Sequence, residues 1–168
     1  MAKNLDNEGL RSVFRKYDLF FIDLWGVIHN GIELYNKAVN VLAKIEKEKK
    51  DYILLTNAPR PKKNVEDFLE KMGLDKNKRE RVFTSGEAAL KFLKENYLKN
   101  SFYHIGPPRD FDLFNDFKKN KTTEITESDY LLCTGLFDHY DDDLNYYKKL
   151  LINYTSKKND MHKSRLNS

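Results

Sequence analysis

The 168-residue chain has one cysteine, Cys133, so it forms no internal disulfide and lacks the thiol clusters of a structural metal site. Core packing is the expected role of Cys133. Long apolar runs are also missing. No stretch reaches the roughly 18–20 residues needed to span a bilayer, and the opening MAKNLDNEGLRSVFRKY has no apolar segment of a secretory leader. The chain is therefore expected in the cytoplasm, with no membrane partner. No internal repeat is evident, which argues against a solenoid. Hydrophobic residues make up 40% of the chain, with 11 Phe and 10 Tyr. That is too much apolar material for a disordered polypeptide, and the length suits one ordinary domain or part of a larger one. The net charge of +4 does not predict a nucleic-acid partner. Lysines alternate with acids in stretches such as AKIEKEKK, the pattern of a solvated helix face with local ion pairs.

Five short apolar runs alternate with helical patterns. YDLFFIDL at 17–24 is almost continuously apolar, ends on Asp23 and Leu24 and precedes Trp25-Gly26, as a buried parallel strand would. After a turn at Asn30-Gly31, Val39, Leu42, Ala43 and Ile45 recur at helical spacing within 38–50. DYILLT at 51–56 is a second strand, broken by Asn57-Ala58-Pro59-Arg60 before a helix with Val65, Phe68, Leu69 and Met72 and a C-terminal Gly73. RVFT at 81–84 gives a third strand, and Ser85 is placed as the N-cap of the helix that follows. Strands alternating with helices predict an α/β fold with a Rossmann-like parallel sheet covered on both faces. From Ser101 a second series begins, with SFYHIG and YLLCTGL as strands and YDDDLNYYKKLLINY as a helix. TSKKNDMHKSRLNS, after Tyr154, reads as a disordered tail.

Two strand ends carry the candidate chemistry, FFIDLWGV and ILLTNAPR, because ligands bind outside the carboxyl edge of an open parallel sheet. A carboxylate there can act as a covalent nucleophile toward phosphorus, and a threonine hydroxyl with nearby N–H groups can hold phosphoryl oxygens. From the residues alone, Asp23 and Thr56 form a phosphate site or Asp23 is a turn and cap residue; both readings stay open.

DLWGVIHNG at 23–31 resembles the first motif of the haloacid dehalogenase superfamily, and LLTNAPR at 54–60 resembles its second. With the following KMGL and FTSGEAA at 83–89, the order and spacing are most similar to the class IIA branch, which includes NagD-like phosphatases. The resemblance implies a Mg2+-dependent phosphatase acting through an aspartyl phosphate on a small phosphorylated metabolite. It implies Asp23 as nucleophile and metal ligand, the Trp25 carbonyl as a further metal ligand, and Thr56 with Asn57 as the phosphate-binding pair. Arg60 is a candidate for an anionic substrate, or a surface cation. The family's usual second aspartate, the general acid and base, is Trp25 here, and an indole cannot shuttle a proton. Trp25 fills space or shapes a substrate pocket. His29 is a substitute base or, on the favoured reading, a solvated loop histidine. Asp141, Asp142 and Asp143 suit the start of a helix rather than a metal site.

The resemblance also divides the chain into the N-terminal part of a core at 1–99, a partial cap domain at 100–155 and a tail at 156–168 that a shifted reading frame would explain. The family's lysine motif and late acidic motif are not recognisable in the sequence. The expectation is a chain truncated within the cap and incomplete or inactive alone. Its alternatives are a non-catalytic phosphate-binding remnant, or one half of a split enzyme whose partner is a separate C-terminal fragment; self-association is a further expected partnership.

Overall fold

The structure is a computed structural model that describes residues 9–138 and 144–166. It divides into two compact units, one up to Gly86 and one from Glu87. The acids Asp141, Asp142 and Asp143 lie outside the described residues.

The first unit is a parallel three-stranded sheet. Its strands, β1 (Leu19–Asp23), β2 (Asp51–Thr56) and β3 (Val82–Thr84), pair in the order 1-2-3. Helix α1 (Asn36–Lys47) crosses from β1 to β2, while α2 (Lys62–Lys71) and the short α3 (Lys76–Arg79) cross from β2 to β3. The helical spacing read from the sequence places Leu42 and Ile45 of α1, and Val65 and Leu69 of α2, in a core with Tyr52, Leu54 and Val82 of the sheet. Helix α2 stops where Gly73 adopts a positive φ of 86°: its N–H bonds the Glu70 carbonyl and the Leu74 N–H bonds that of Leu69.

Among the described residues, only one face of this sheet is covered. Side chains alternate across a strand, and Tyr52, Leu54, Thr56, Val82 and Thr84 are buried. The other set, Leu19, Phe21, Leu55 and Phe83, is between 42% and 65% exposed. The expected covering of both faces is thereby corrected. All three strands advance in one direction, so right-handed crossovers carry α1 and α2 to the same side. An apolar run could not reveal this, since both faces of these strands are apolar.

The second unit is built on the parallel pair β4 (Phe102–Ile105) and β5 (Tyr130–Cys133), in register from Phe102 opposite Tyr130 to Ile105 opposite Cys133. Helix α4 (Ser85–Asn96) supplies Leu90 and Leu93 to its core, although the sequence groups this helix with the first domain. Between the strands, residues 108–120 run as 3-10 turns interrupted at Phe114 and Phe117, both buried. Their rings meet Phe102 edge-on at 5.1 and 5.5 Å, the favoured aromatic geometry. Cys133, expected in the core, is exposed. It follows buried Leu132 on β5, so the pleat turns it to the opposite side. Helix α5 (Leu144–Leu166) continues through residues expected to form an irregular tail. No glycine or proline occurs after Gly135, and Lys, Asp, Met and Arg extend a helix once a preceding segment has started it.

His104 on β4 is buried, and its Nε2 lies 2.8 Å from Thr134 Oγ1. Burial first, and then the positive field of Lys121, lower its pKa to about 4, against a partial opposing effect of Asp110. The unfolded chain, with an ordinary histidine, binds the proton more readily as pH falls below about 6.5, so His104 stabilises the fold fully above that pH and loses its contribution toward pH 4. Each pH unit separating the folded from the unfolded pKa is worth about 1.4 kcal/mol, so the loss is at most about 3 kcal/mol. Urea denaturation should show the stability difference between the native chain and His104→Gln shrinking over this window, with a constant difference above it. Truncating Leu54 to Ala should cost about 2–5 kcal/mol, whereas Phe21→Thr on the open face should change stability by about 0.5 kcal/mol or less.

Candidate active site

Parallel pairing brings the ends of β1, β2 and β3 to one edge. Asp23 lies opposite Leu55, and Thr56 lies opposite Thr84. Asp23 is exposed at the last position of β1; its Oδ1 accepts the Leu24 N–H at 2.8 Å. Beyond it the chain folds into a tight loop in which the Leu24 carbonyl accepts N–H groups from Val27, Ile28 and His29. Gly26 sits at φ 74°, a conformation costly for other residues, and its N–H returns to the His29 carbonyl at 2.8 Å. Asn30 closes the next turn: its Oδ1 accepts the N–H groups of Ile32 and Glu33. The Trp25 ring lies over Gly31, where a Cβ would stand 2.6 Å from the indole.

The second segment is held from outside itself. Thr56 Oγ1 accepts the Ala58 N–H at 3.3 Å, and the loop then leans on the β3–α4 junction. Thr84 Oγ1 donates to the Arg60 carbonyl at 2.7 Å, and the Gly86 N–H donates to the Ala58 carbonyl at 3.1 Å. The Ser85 hydroxyl donates to the carbonyls of Asn57 and Ala58. Ser85, expected as a helix cap, instead braces this loop, and it shares the Ala58 carbonyl with the Gly86 N–H. Gly86 permits that approach: a Cβ there would collide with the Arg60 backbone.

A cleft of about 340 Å3 opens beside the strand ends, with Trp25, His29, Thr56, Asn57, Arg60 and Phe68 on its walls. Five of the residues named from sequence, Trp25, His29, Thr56, Asn57 and Arg60, therefore share one cleft. Asp23 stands at the neighbouring strand end and is not on its lining. Phe68 is legible in the sequence only as an apolar helix position; its place on the wall depends on where α2 docks.

His29, expected in solvent, is 5% exposed. The aromatic rings of Trp25 and Phe68 meet it edge-on, each 5.6 Å away. Burial lowers its pKa, partly offset by the nearby Asp23 carboxylate. Its Nδ1 accepts the Gly31 N–H at 3.0 Å. A neutral imidazole accepting at Nδ1 carries its proton on Nε2, so His29 presents a donor and not a base.

Among the described residues no group of three or more His, Cys, Asp or Glu side chains could enclose a metal ion. Mg2+, however, commonly takes one or two carboxylates and completes its shell with water and substrate phosphate. Asp23, exposed at a strand end with one oxygen engaged by a backbone N–H, fits that open mode of binding.

An α/β chain with an acid and a threonine at adjacent parallel strand ends matches one family model. Residues 20–118 match the haloacid dehalogenase-like hydrolase model. The chain belongs to this family. It is 30% identical to a haloacid dehalogenase-like hydrolase from Brucella suis 1330, with a TM-score of 0.75 over 90% of this chain and 57% of that one. It is 24% identical to phosphoglycolate phosphatase 2 of Arabidopsis thaliana, over 86% of this chain and 53% of that protein. A glycerol phosphate phosphatase from Mycobacterium tuberculosis, solved with magnesium, shares the fold at 19% identity and a TM-score of 0.56, over 83% of this chain and 42% of that one. The chain thus spans roughly half the length of these relatives. No helix among the described residues is long and apolar enough to cross a membrane.

Gly86→Ala should destabilise the first unit by about 1–3 kcal/mol through the clash with Arg60, and Ser85→Ala by about 1 kcal/mol. Chemical denaturation checks both values. Amide NMR shifts of the variants should concentrate in residues 57–60.

Proposed function

We propose that this chain carries the nucleophile-bearing part of a magnesium-dependent phosphomonoester hydrolase of the NagD-like, class IIA type, acting on a small phosphorylated metabolite. The pairing register supports this reading most directly, because it sets Asp23 and Thr56 on adjacent strand ends at one sheet edge. In the proposed first step an Asp23 carboxylate oxygen attacks phosphorus, the bond from phosphorus to the leaving oxygen breaks, and an aspartyl phosphate forms. Water then attacks the same phosphorus, the bond to Asp23 breaks, and inorganic phosphate leaves with the carboxylate restored. The Thr56 hydroxyl and the Asn57 N–H hold the phosphoryl oxygens, and Arg60 on the cleft wall faces the anionic substrate. The Asp23 carboxylate and the Trp25 carbonyl would hold Mg2+, which supplies charge neutralisation at the phosphoryl group.

Trp25 occupies the position at which the family resemblance places a general acid and base, and its indole moves no proton. His29, with Nδ1 already accepting a backbone N–H, does not replace that base. These two observations favour a second reading, in which the cleft binds phosphate esters without turnover. On the first reading, the lysine and the late acid that the resemblance calls for come from a further segment of polypeptide.

Calorimetry with inorganic phosphate and Mg2+ tests the binding step common to both readings. Affinity should fall by about tenfold in Thr56→Val, the loss of one charge-assisted hydrogen bond. Incubation with acetyl phosphate then separates them by peptide mass spectrometry. A phosphoryl group on the Asp23 peptide, absent in Asp23→Asn, supports the enzyme. Phosphate binding with no adduct supports the binder. Magnesium-dependent hydrolysis of para-nitrophenyl phosphate that persists in Asp23→Asn would sink the nucleophile assignment.

A further inference from the structure

The second unit has a cleft of its own at the carboxyl ends of β4 and β5, where parallel strands commonly meet ligands. Its volume of about 430 Å3 lies within the range of small-molecule sites, roughly 300–1,000 Å3. Gly106 is part of its lining, immediately after β4, at φ 153°. A Cβ there would collide with Thr134 Oγ1 and stand 2.9 Å from His104 Nε2, so the surface beside those groups is bare backbone. Tyr103, Phe111 and Phe137 provide aromatic lining. Phe111 meets the His104 ring edge-on at 5.3 Å, and Phe137 stacks on Tyr147 at 5.9 Å. Both rings are thus positioned by neighbours before any ligand arrives.

The charges in this cleft are unequal. Arg109 is paired with Asp138, so that rim pair is self-compensated. Lys121 lines the cleft with its ammonium 5.1 Å from the centre of the Phe111 ring. Among the described residues it has no carboxylate within ion-pair distance. Asp110 is buried nearby and has a partner of its own. Thr123, two residues after Lys121, is also part of the lining and carries a hydroxyl. A mostly apolar, ring-lined cleft with one uncompensated cation selects a flat apolar body bearing a negative group.

We propose that this cleft binds a small planar aromatic anion, its ring among Phe111, Phe137 and Tyr103 and its carboxylate or phosphate on Lys121 and Thr123. The site is formed by residues of the second unit alone and does not rest on the role assigned to Asp23.

Naphthoate, titrated into the full chain by amide NMR and calorimetry, provides the test. Shifts should concentrate at Gly106, Phe111, Lys121, Thr123 and Phe137. Affinity should fall by about tenfold or more for uncharged naphthalenemethanol, and similarly for naphthoate with Lys121→Met. Lys121→Arg should retain binding, and excess inorganic phosphate should leave the naphthoate shifts in place. The comparison of naphthoate with naphthalenemethanol uses only the native chain, so it holds even where a variant fails to fold. Equal affinity for the two compounds, shifts confined to other residues, or no shifts at millimolar ligand would overturn the proposal. Naphthoate shifts that centre on residues 56–60 and are abolished by phosphate would overturn it as well, since they would locate the ligand at the first unit's cleft instead. Naphthyl phosphonate binding in place of naphthoate, at the same residues, would identify the preferred anion as phosphate-like and support the site.

Discussion

Parallel pairing in the first unit ties three distant segments into one edge. Asp23 faces Leu55 across the first pair of strands, and Thr56 faces Thr84 across the second. A slip of one residue would reverse the facing of every side chain on the slipped strand, moving Leu54 and Val82 out of the core and Thr56 out of the cleft. Burial of one apolar face and placement of the polar strand ends are therefore the same constraint. The core holds the register, and the register holds the site. Nothing in the loops themselves would bring Asp23 and Thr56 together.

Two buried histidines among the described residues show how a low-dielectric setting fixes the role of a side chain. His29 is held between two rings with Nδ1 on a backbone N–H, and His104 sits under an aromatic cluster with Nε2 on a threonine hydroxyl. In both, burial is the largest influence and opposes protonation. Each is thus a neutral hydrogen-bonding group at ordinary pH. Positive charge in the two clefts comes instead from Arg60 and Lys121, whose long side chains lie on the walls of the clefts.

Much of this fold is legible in the chain. The five strands coincide with five short apolar runs, and the α1 and α2 cores follow from Leu42, Ile45, Val65 and Leu69 at helical spacing. Of the five residues proposed for the site, Trp25, Thr56, Asn57 and Arg60 line one cleft and Asp23 shares a sheet edge with Thr56, because all five stand at or just after the ends of apolar runs. Less legible are features that depend on what another segment does. Phe21 and Leu54 are equally hydrophobic, and only the direction in which the strands advance decides which of them is covered. His29 looks like a loop residue until α2 delivers Phe68 against it. Ser85 looks like a helix cap until the loop after β2 is seen to rest on it. Residues 156–166 are polar and aperiodic, yet they contain no helix breaker, and an established helix continues through them.

The brace between the β2 loop and the β3–α4 junction has a bearing on the order in which the site matures. Its hydrogen bonds join residues 24 to 28 positions apart, from Thr84 and Ser85 back to Arg60 and Asn57. A ribosome releases polypeptide from the N-terminus, so Asp23 and Thr56 leave the exit tunnel well before the residues that fix the loop between them and the helix. Until Thr84, Ser85 and Gly86 have emerged, their donors are not there to meet the carbonyls of Asn57, Ala58 and Arg60. The braced form of the β2 loop is thus a late product of translation, even though its own sequence lies in the first half of the chain.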